Sequence, residues 1–363
     1  MKKLISLTLA AAMTMSLLAG CGSNGSAGTD SADASAETFK IGGIGPITGA
    51  GAVYGIAVKN GAELAIKEIN EAGGINGYQI EYNFQDDELD NEKSVNAYNT
   101  LKDWGMNMLV GSVTSGCCVA VAAETKNDNM FQITPSGSSV DCIEGNDNVF
   151  QVCFTDPNQG VGAADYIGEN GLASKVAVIY DSSDVYSSGI YAKFKEEAAT
   201  QNFEIVSEEA FTADNKTDFS VQLAKAQEAG AELVFLPIYY TEASLILKQA
   251  DSMGYAPKFF GCDGLDGILG VENFDTSLAE GVMLLTPFAA DAQDDLTKKF
   301  VSAYETAYND TPNQFAADAY DAVYAIKAAA EKGDVAPSDG VSGICDKMKA
   351  AMQEITVDGL TGE

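Results

Sequence analysis

The 363-residue chain contains no histidine, and its 21 basic residues are all lysines, because arginine occurs nowhere in it. Without histidine there is no His-based catalytic triad and no imidazole ligand for a metal. Without arginine there is no bidentate guanidinium clamp for a phosphate group. Positive charge is scarce altogether: 53 acids against 21 bases leave a formal net charge of −32. A chain of that sign is a poor partner for nucleic acid, whose phosphates have to be met by cations. No G-x-x-x-x-G-K-[ST] occurs, so a P-loop is absent as well. An all-Cys zinc site or a carboxylate-only enzyme survives these exclusions. The densest acid cluster is "QDDELD" at 85–90, and such a run is usually a solvated loop or helix start. No motif favours either of them, and no catalytic residue, metal site or cofactor is assigned from the sequence.

What is present points to an exported two-domain protein. The length suits two domains, and a hydrophobic content of 46% supports real cores. At the N-terminus, Lys2 and Lys3 precede an apolar stretch, Leu4–Leu18, that is too short to span a membrane comfortably. It ends in Leu18-Ala19-Gly20-Cys21, which resembles the lipobox of bacterial lipoproteins. The resemblance implies a signal peptide over 1–20, cleavage before Cys21 and lipid on its thiol. Residues 22–38, "GSNGSAGTDSADASAET", are small and polar and read with Cys21 as a flexible tether. Six cysteines remain beyond Cys21. Cys142 and Cys153 are spaced to close a short loop, and free buried thiols fit the sequence equally well.

From Phe39 onward short apolar runs alternate with helical patterns. "FKIGGIG" (39–45), "MLVG" (108–111), "KVAVIY" (175–180) and "ELVFLP" (232–237) are among nine strand-like runs. In the first helical segment Val58, Ala62, Ala65 and Ile69 share one face, while Lys59, Glu63, Lys67 and Glu71 line another. Strands alternating with helices of this length indicate βαβ units and parallel sheets. The series runs twice, over about 39–155 and 158–285, and a mostly helical stretch, 286–354, follows. Two doubly wound lobes with a helical return imply a cleft beyond the carboxyl ends of the strands.

The turns after the strands carry the chemistry. "IGGIGPITGAGAVYG" (41–55) has the strand–turn–helix form of a nucleotide site. It lacks the third glycine, with Thr48 in its place, and Pro46 removes an N–H where a pyrophosphate would need one. Strand "MLVG" runs into Ser112-Val113-Thr114-Ser115-Gly116, and "FQITP" into Ser136-Gly137-Ser138-Ser139. Both place hydroxyls and N–H groups at expected helix N-termini, a setting that suits a carboxylate as well as a phosphate. Serine and threonine also serve there simply as N-caps. In the second series Tyr186, Tyr239, Tyr240, Asp263 and Asp266 follow strands. An acid at such a position can meet an ammonium group across the cleft, although Asp-Gly is also a plain turn signal.

"IGGIGPITGAGAVYGIAVKNGAELAIKEINEAGGINGYQIE", "LVGSVTS", "ITPSGSS", "KVAVIYDSSDVYSSGIYAKF", "FFGCDG" and "FAADAYDAVYAIKAA" together resemble the type I extracytoplasmic substrate-binding proteins of ABC transporters. The resemblance is strongest to the leucine/isoleucine/valine-binding group. It implies an α/β fold of two doubly wound three-layer lobes, with a hinge and an interlobe ligand cleft. The N-terminal lobe would comprise 39–156 and 287–333, and the C-terminal lobe 157–286 and 334–363. It implies that Ser115 and Ser138 bond a ligand carboxylate, helped by groups near Val113, Thr114 and Ser136. Asp263 falls where the family places an acid, commonly Glu, that meets the α-ammonium. Tyr54, Tyr186, Tyr239 and Phe315 fall on pocket walls. The shorter Asp263 and the polar Thr114 and Ser136 depart from the commoner pattern and leave the ligand open. "VDGLTGE" resembles a turn that relatives follow with further strand, which implies a chain continuing past Glu363. The function implied is a lipid-anchored extracytoplasmic protein that captures an amino acid and delivers it to an ABC permease with its ATPase subunits. The alternative is a sensory amino-acid- or amide-binding lipoprotein on the same fold.

Overall fold

The computed structural model describes residues 37–362. The expected signal peptide over 1–20, the expected lipidation at Cys21 and nearly all of the expected tether fall outside the described residues. Two five-stranded parallel sheets organise the rest. The first has the order β2-β1-β3-β4-β5, from strands Phe39–Gly45 (β1), Ile80–Asp86 (β2), Met108–Gly111 (β3), Gln132–Thr134 (β4) and Val149–Gln151 (β5). The second has the order β10-β9-β8-β6-β7, from Lys175–Asp181 (β6), Glu204–Phe211 (β7), Leu233–Leu236 (β8), Lys258–Gly261 (β9) and Met283–Leu284 (β10). Central strands such as β3 and β8 are buried on both faces, which is why they read as unbroken apolar runs.

Helices Ala52–Glu71 (α1), Asn91–Trp104 (α2) and Ser115–Asp128 (α3) connect the strands of the first lobe. Val185–Ala198 (α5), Ser220–Glu228 (α6) and Tyr240–Ser252 (α7) do so in the second, and Asp156–Glu169 (α4) leads from β5 of the first sheet to β6 of the second. Local chemistry fixes several helix starts: Asp90 caps α2 through Lys93 N, and Asp184 caps α5 through Tyr186 N. β5 is an addition to the sequence reading. At three residues, set between Asn148 and Val152, it is too short for a period to show.

The chain then returns to the first lobe through Asp295–Tyr308 (α8), Gln314–Lys332 (α9) and Gly340–Met352 (α10). Tyr308 Oη donates to the Asn60 carbonyl at 2.9 Å, and Tyr320 and Tyr324 donate to Glu68 at 2.7 and 3.0 Å, so α8 and α9 are held on α1. The expected placement of 334–363 in the second lobe is corrected here. Asn129 of the first lobe donates to the Ser342 hydroxyl at 2.7 Å and to Asp346 at 3.0 Å on α10. Asp321 of α9 accepts from Leu360 N and Thr361 N, both at 2.9 Å. The amphipathic period of α10 shows only that Ile344, Cys345 and Met348 must be covered. It does not say by which lobe. The six cysteines of the described region are all buried and free, so the Cys142–Cys153 bridge does not form.

α1 and α9 approach closely at Gly61, where a side-chain methyl would overlap the Ala316 carbonyl oxygen. Backbone cannot yield as a flexible side chain can. Gly61→Ala is therefore expected to destabilise the fold by about 1–3 kcal/mol, the usual magnitude of overpacking. Urea unfolding of the two proteins would measure it.

Candidate functional site

The carboxyl ends of both sheets face one interlobe space, and the turns after β1, β3 and β4 meet those after β6, β8 and β9 there. Tyr54 enters from the first turn of α1 and is buried. The Pro46 turn that the sequence could have offered to a phosphate is instead packed against Gly55, whose missing side chain makes room for the Pro46 carbonyl. Tyr54 Oη donates to the Gly264 carbonyl and accepts from Tyr240 N at 3.1 Å, both in the second lobe. Its ring meets Tyr240, Phe315 and Tyr239 edge-on at centroid distances of 4.6, 4.8 and 5.7 Å. One first-lobe side chain thus carries apolar contact and two hydrogen bonds across the cleft.

The serine loops form the opposite face. Ser115 Oγ accepts from Ser138 N and Ser139 N, each at 3.1 Å, and so ties the β3 and β4 turns together. Ser136 Oγ donates to the Val113 carbonyl at 2.7 Å. Thr114 Oγ1 and Ser138 Oγ are buried with no hydrogen-bond partner in the described structure. Burying a hydroxyl in this way is unfavourable unless something completes it; Thr114 lines the cavity, whereas the Ser138 hydroxyl lies behind it beside the Asp156 carboxyl.

Across from them Tyr186 Oη donates to Asp263 Oδ1 at 2.7 Å and accepts from Gly264 N at 2.9 Å. Tyr239 stacks flat on Tyr186, with centroids 4.8 Å apart and ring planes 8° apart. Asp263 is 3% exposed, and its N–H donates to Gln159 Oε1 at 3.0 Å. Burial pushes the Asp263 carboxyl up to about 6, against the opposing pull of the Tyr186 hydrogen bond. Asp156, at the start of α4, is 1% exposed, and neither carboxylate oxygen has a partner. Burial pushes it up to about 8.

Nine of the residues singled out from the sequence line one cavity with Gly264: Tyr54, Val113, Thr114, Ser115, Ser136, Tyr186, Tyr239, Asp263 and Phe315. Ser138 sits behind the wall, its N–H bonded to Ser115. The cavity holds about 10 Å³, room for roughly one water, because the tyrosines fill it from both lobes. Tyr240, Gly264, Gln159 and Asp156 also shape the site. The first was read only as half of a tyrosine pair, and Asp156 and Gln159 stood in the sequence as an unremarkable helix start. Among the described residues no cluster of Cys, Asp or Glu is grouped to hold a metal.

The chain matches the family described as periplasmic binding protein over residues 38–363. It is 33% identical to the Leu/Ile/Val-binding protein homolog 3 of Brucella melitensis over 83% of this chain and 81% of that protein. It is 30% identical to the leucine-, isoleucine-, valine-, threonine-, and alanine-binding protein of Pseudomonas aeruginosa, over 87% and 84%. Among solved structures, the branched-chain amino acid transporter substrate binding protein of Streptococcus pneumoniae, in complex with isoleucine, superposes with a TM-score of 0.79. It is 29% identical, with 90% of this chain and 91% of that one covered.

The buried carboxylates make stability depend on pH in a defined direction. A carboxyl whose folded pKa lies above its unfolded value binds more protons when folded, so stability falls as pH rises between the two values. For Asp263 that window runs from the unfolded value of 3.8 up to about 6, and for Asp156 from 3.8 up to about 8. Asp156→Asn, which removes the charge and keeps the shape, should raise the melting temperature at pH 8 by roughly 2 °C or more, with little change at pH 4. Melting curves of both proteins at the two pH values decide it; an equal shift at both would assign the effect to packing.

Proposed function

The chain belongs to the periplasmic binding protein family, and we propose that it captures a free α-amino acid of the branched-chain type or similar between its lobes. It then hands the ligand to an ABC permease driven by ATPase subunits. The protein acts outside the cytoplasm, tethered through lipid on Cys21, a reading supported by the Leu18–Cys21 motif. It binds without turnover.

The observation that carries this reading is the opposition of two kinds of group across an aromatic box. On one side stand the Ser115 hydroxyl, whose proton remains available to donate, the unmatched Thr114 hydroxyl and the nearby loop N–H groups. These suit a carboxylate. On the other side stands Asp263, a buried acid whose only side-chain hydrogen bonds come from neutral groups. This suits an ammonium. Charge-assisted hydrogen bonds of this kind contribute about 1.5–3 kcal/mol each. Two or three of them, with apolar burial against the tyrosines, exceed association costs of order 4–15 kcal/mol only when the lobes enclose the ligand.

Enclosure also accounts for the small cavity. The tyrosines fill the cavity from both lobes, and Tyr186 Oη stands on Asp263 where an ammonium would bind. Parting the lobes releases Tyr54 from Gly264 and Tyr240 and opens the site, a hinge motion of the kind that periplasmic binding proteins use.

A thermal-shift series with the twenty amino acids tests the reading. At a hundredfold excess over Kd a ligand adds about 2.7 kcal/mol to folding stability, which is a measurable rise. At least one α-amino acid is expected to give it, and the corresponding α-hydroxy acid is expected to give much less. Asp263→Asn should weaken the best amino acid by about 10- to 100-fold in calorimetric titration. Stabilisation by no amino acid at all would overturn the proposal.

A further inference from the structure

The two faces of the inner site belong to different lobes, and one short stretch of chain touches both. It is the first turn of α4, the helix that leads from the first sheet to the second. Asp156 N donates to the Ser138 carbonyl at 2.9 Å, in the loop that Ser115 ties down. One turn further on, Gln159 Oε1 accepts the N–H of Asp263 at 3.0 Å. A path of bonds therefore runs from Ser115 through Ser138, Asp156 and Gln159 to Asp263. It connects the loops that suit a carboxylate to the acid that suits an ammonium.

The path is stiff. Gly160 of α4 lies so close to α5 that a side-chain methyl there would stand 2.6 Å from the Ile190 carbonyl oxygen. On the facing helix, a methyl at Gly189 would stand 3.3 Å from Asp156 Oδ2. The start of α4 is thus seated on α5, and close-packed backbone of this kind does not yield easily. Gln159 is 0% exposed, and Asp263 N has no other hydrogen-bond acceptor among the described residues. That N–H needs an acceptor, which fixes the end of the amide that carries oxygen. Gln159 Nε2 is buried with no hydrogen-bond partner, so replacing the amide removes the bond to Asp263 and no other side-chain bond.

Distance is what separates an α-amino acid from its isomers. By standard bond lengths and angles its carboxyl carbon and amino nitrogen lie about 2.5 Å apart, and each further methylene adds about 1.3 Å in an extended chain. We propose that Gln159 is a positioning residue, which holds Asp263 at a set distance from the Ser115 and Ser138 loops and so makes the site select α-amino acids over β- and γ-amino acids. The proposal rests on the reading of the inner site as one for an amino acid. Gln159 does not line the cavity and acts through Asp263.

Three isomers that differ in this distance provide the test: L-2-aminobutanoate, 3-aminobutanoate and 4-aminobutanoate. Each is titrated calorimetrically as a competitor of the amino acid that stabilises the protein best in the thermal-shift series. The 2-amino isomer is expected to displace it about tenfold more effectively than the 3-amino isomer, or better, and the 4-amino isomer least of all. Gln159→Met keeps the length of the side chain and removes the acceptor. It should reduce the preference for the 2-amino over the 3-amino isomer about fivefold or more, the usual effect of one lost hydrogen bond. Gln159→Glu retains an acceptor oxygen and should keep the preference within about twofold. No displacement by 2-aminobutanoate, or displacement by either other isomer at equal or lower concentration, would overturn the proposal while leaving the amino-acid site standing. These titrations of the unaltered protein decide even where Gln159→Met does not fold. A preference unmoved in folded Gln159→Met protein, or reduced equally by both substitutions, would also overturn it, because either result leaves Gln159 with packing alone. Stabilisation by no amino acid in the thermal-shift series would instead remove the inner-site reading, and this proposal with it.

Discussion

A carboxylate taken out of water needs a cation or a proton. Asp156 and Asp263 are both buried, and neither takes part in an ion pair among the described residues. The chain has no arginine and no histidine to offer, and its lysines stand at the surface in pairs such as Lys327–Glu331. Such exposed pairs contribute little to stability. The interior thus holds carboxyls that no described cation pairs with, and burial favours their neutral, protonated form. The composition with which the sequence began and the chemistry of the cleft are two sides of one fact.

The same logic governs the aromatic side chains around Asp263. Tyr186 and Gly264 give the acid neutral hydrogen bonds, which lessen the penalty of burial without cancelling it. Tyr186 is fixed in turn by stacking on Tyr239, and Tyr54 ties the first lobe to Gly264. The residues that line the cavity are therefore also ones that hold the two lobes together. A closed form stabilised by neutral contacts is one that a charged ligand can replace with stronger ones, so closure and selectivity draw on the same few groups.

Much of this was legible from the residues. β3 and β8 announce themselves as apolar runs, and the Ser115 and Ser136 turns as hydroxyl-bearing loops after strands, because a parallel sheet imposes those patterns locally. Nine of the residues singled out in those turns and helix starts line one cavity. What could not be read is what depends on three-dimensional assignment. The face of α10 must be covered, but its period is the same whichever lobe covers it; only the Asn129 and Asp321 contacts decide. β5 is too short for alternation to be visible. Asp156 looked like an ordinary acid at a helix start, and its significance lies in the bonds its oxygens do not make.

The return of α8 and α9 to α1 has a temporal consequence. Tyr308 and Asn60, which bond across this contact, are 248 positions apart, with a whole lobe synthesised between them. Phe315, a wall of the cavity, sits at the start of α9, next to the Ala316–Gly61 contact. The first lobe is sealed by helices made after the whole of the second, a pairing of high sequence separation. The cavity therefore has its Phe315 wall only once α9 has been made, after the whole of the second lobe.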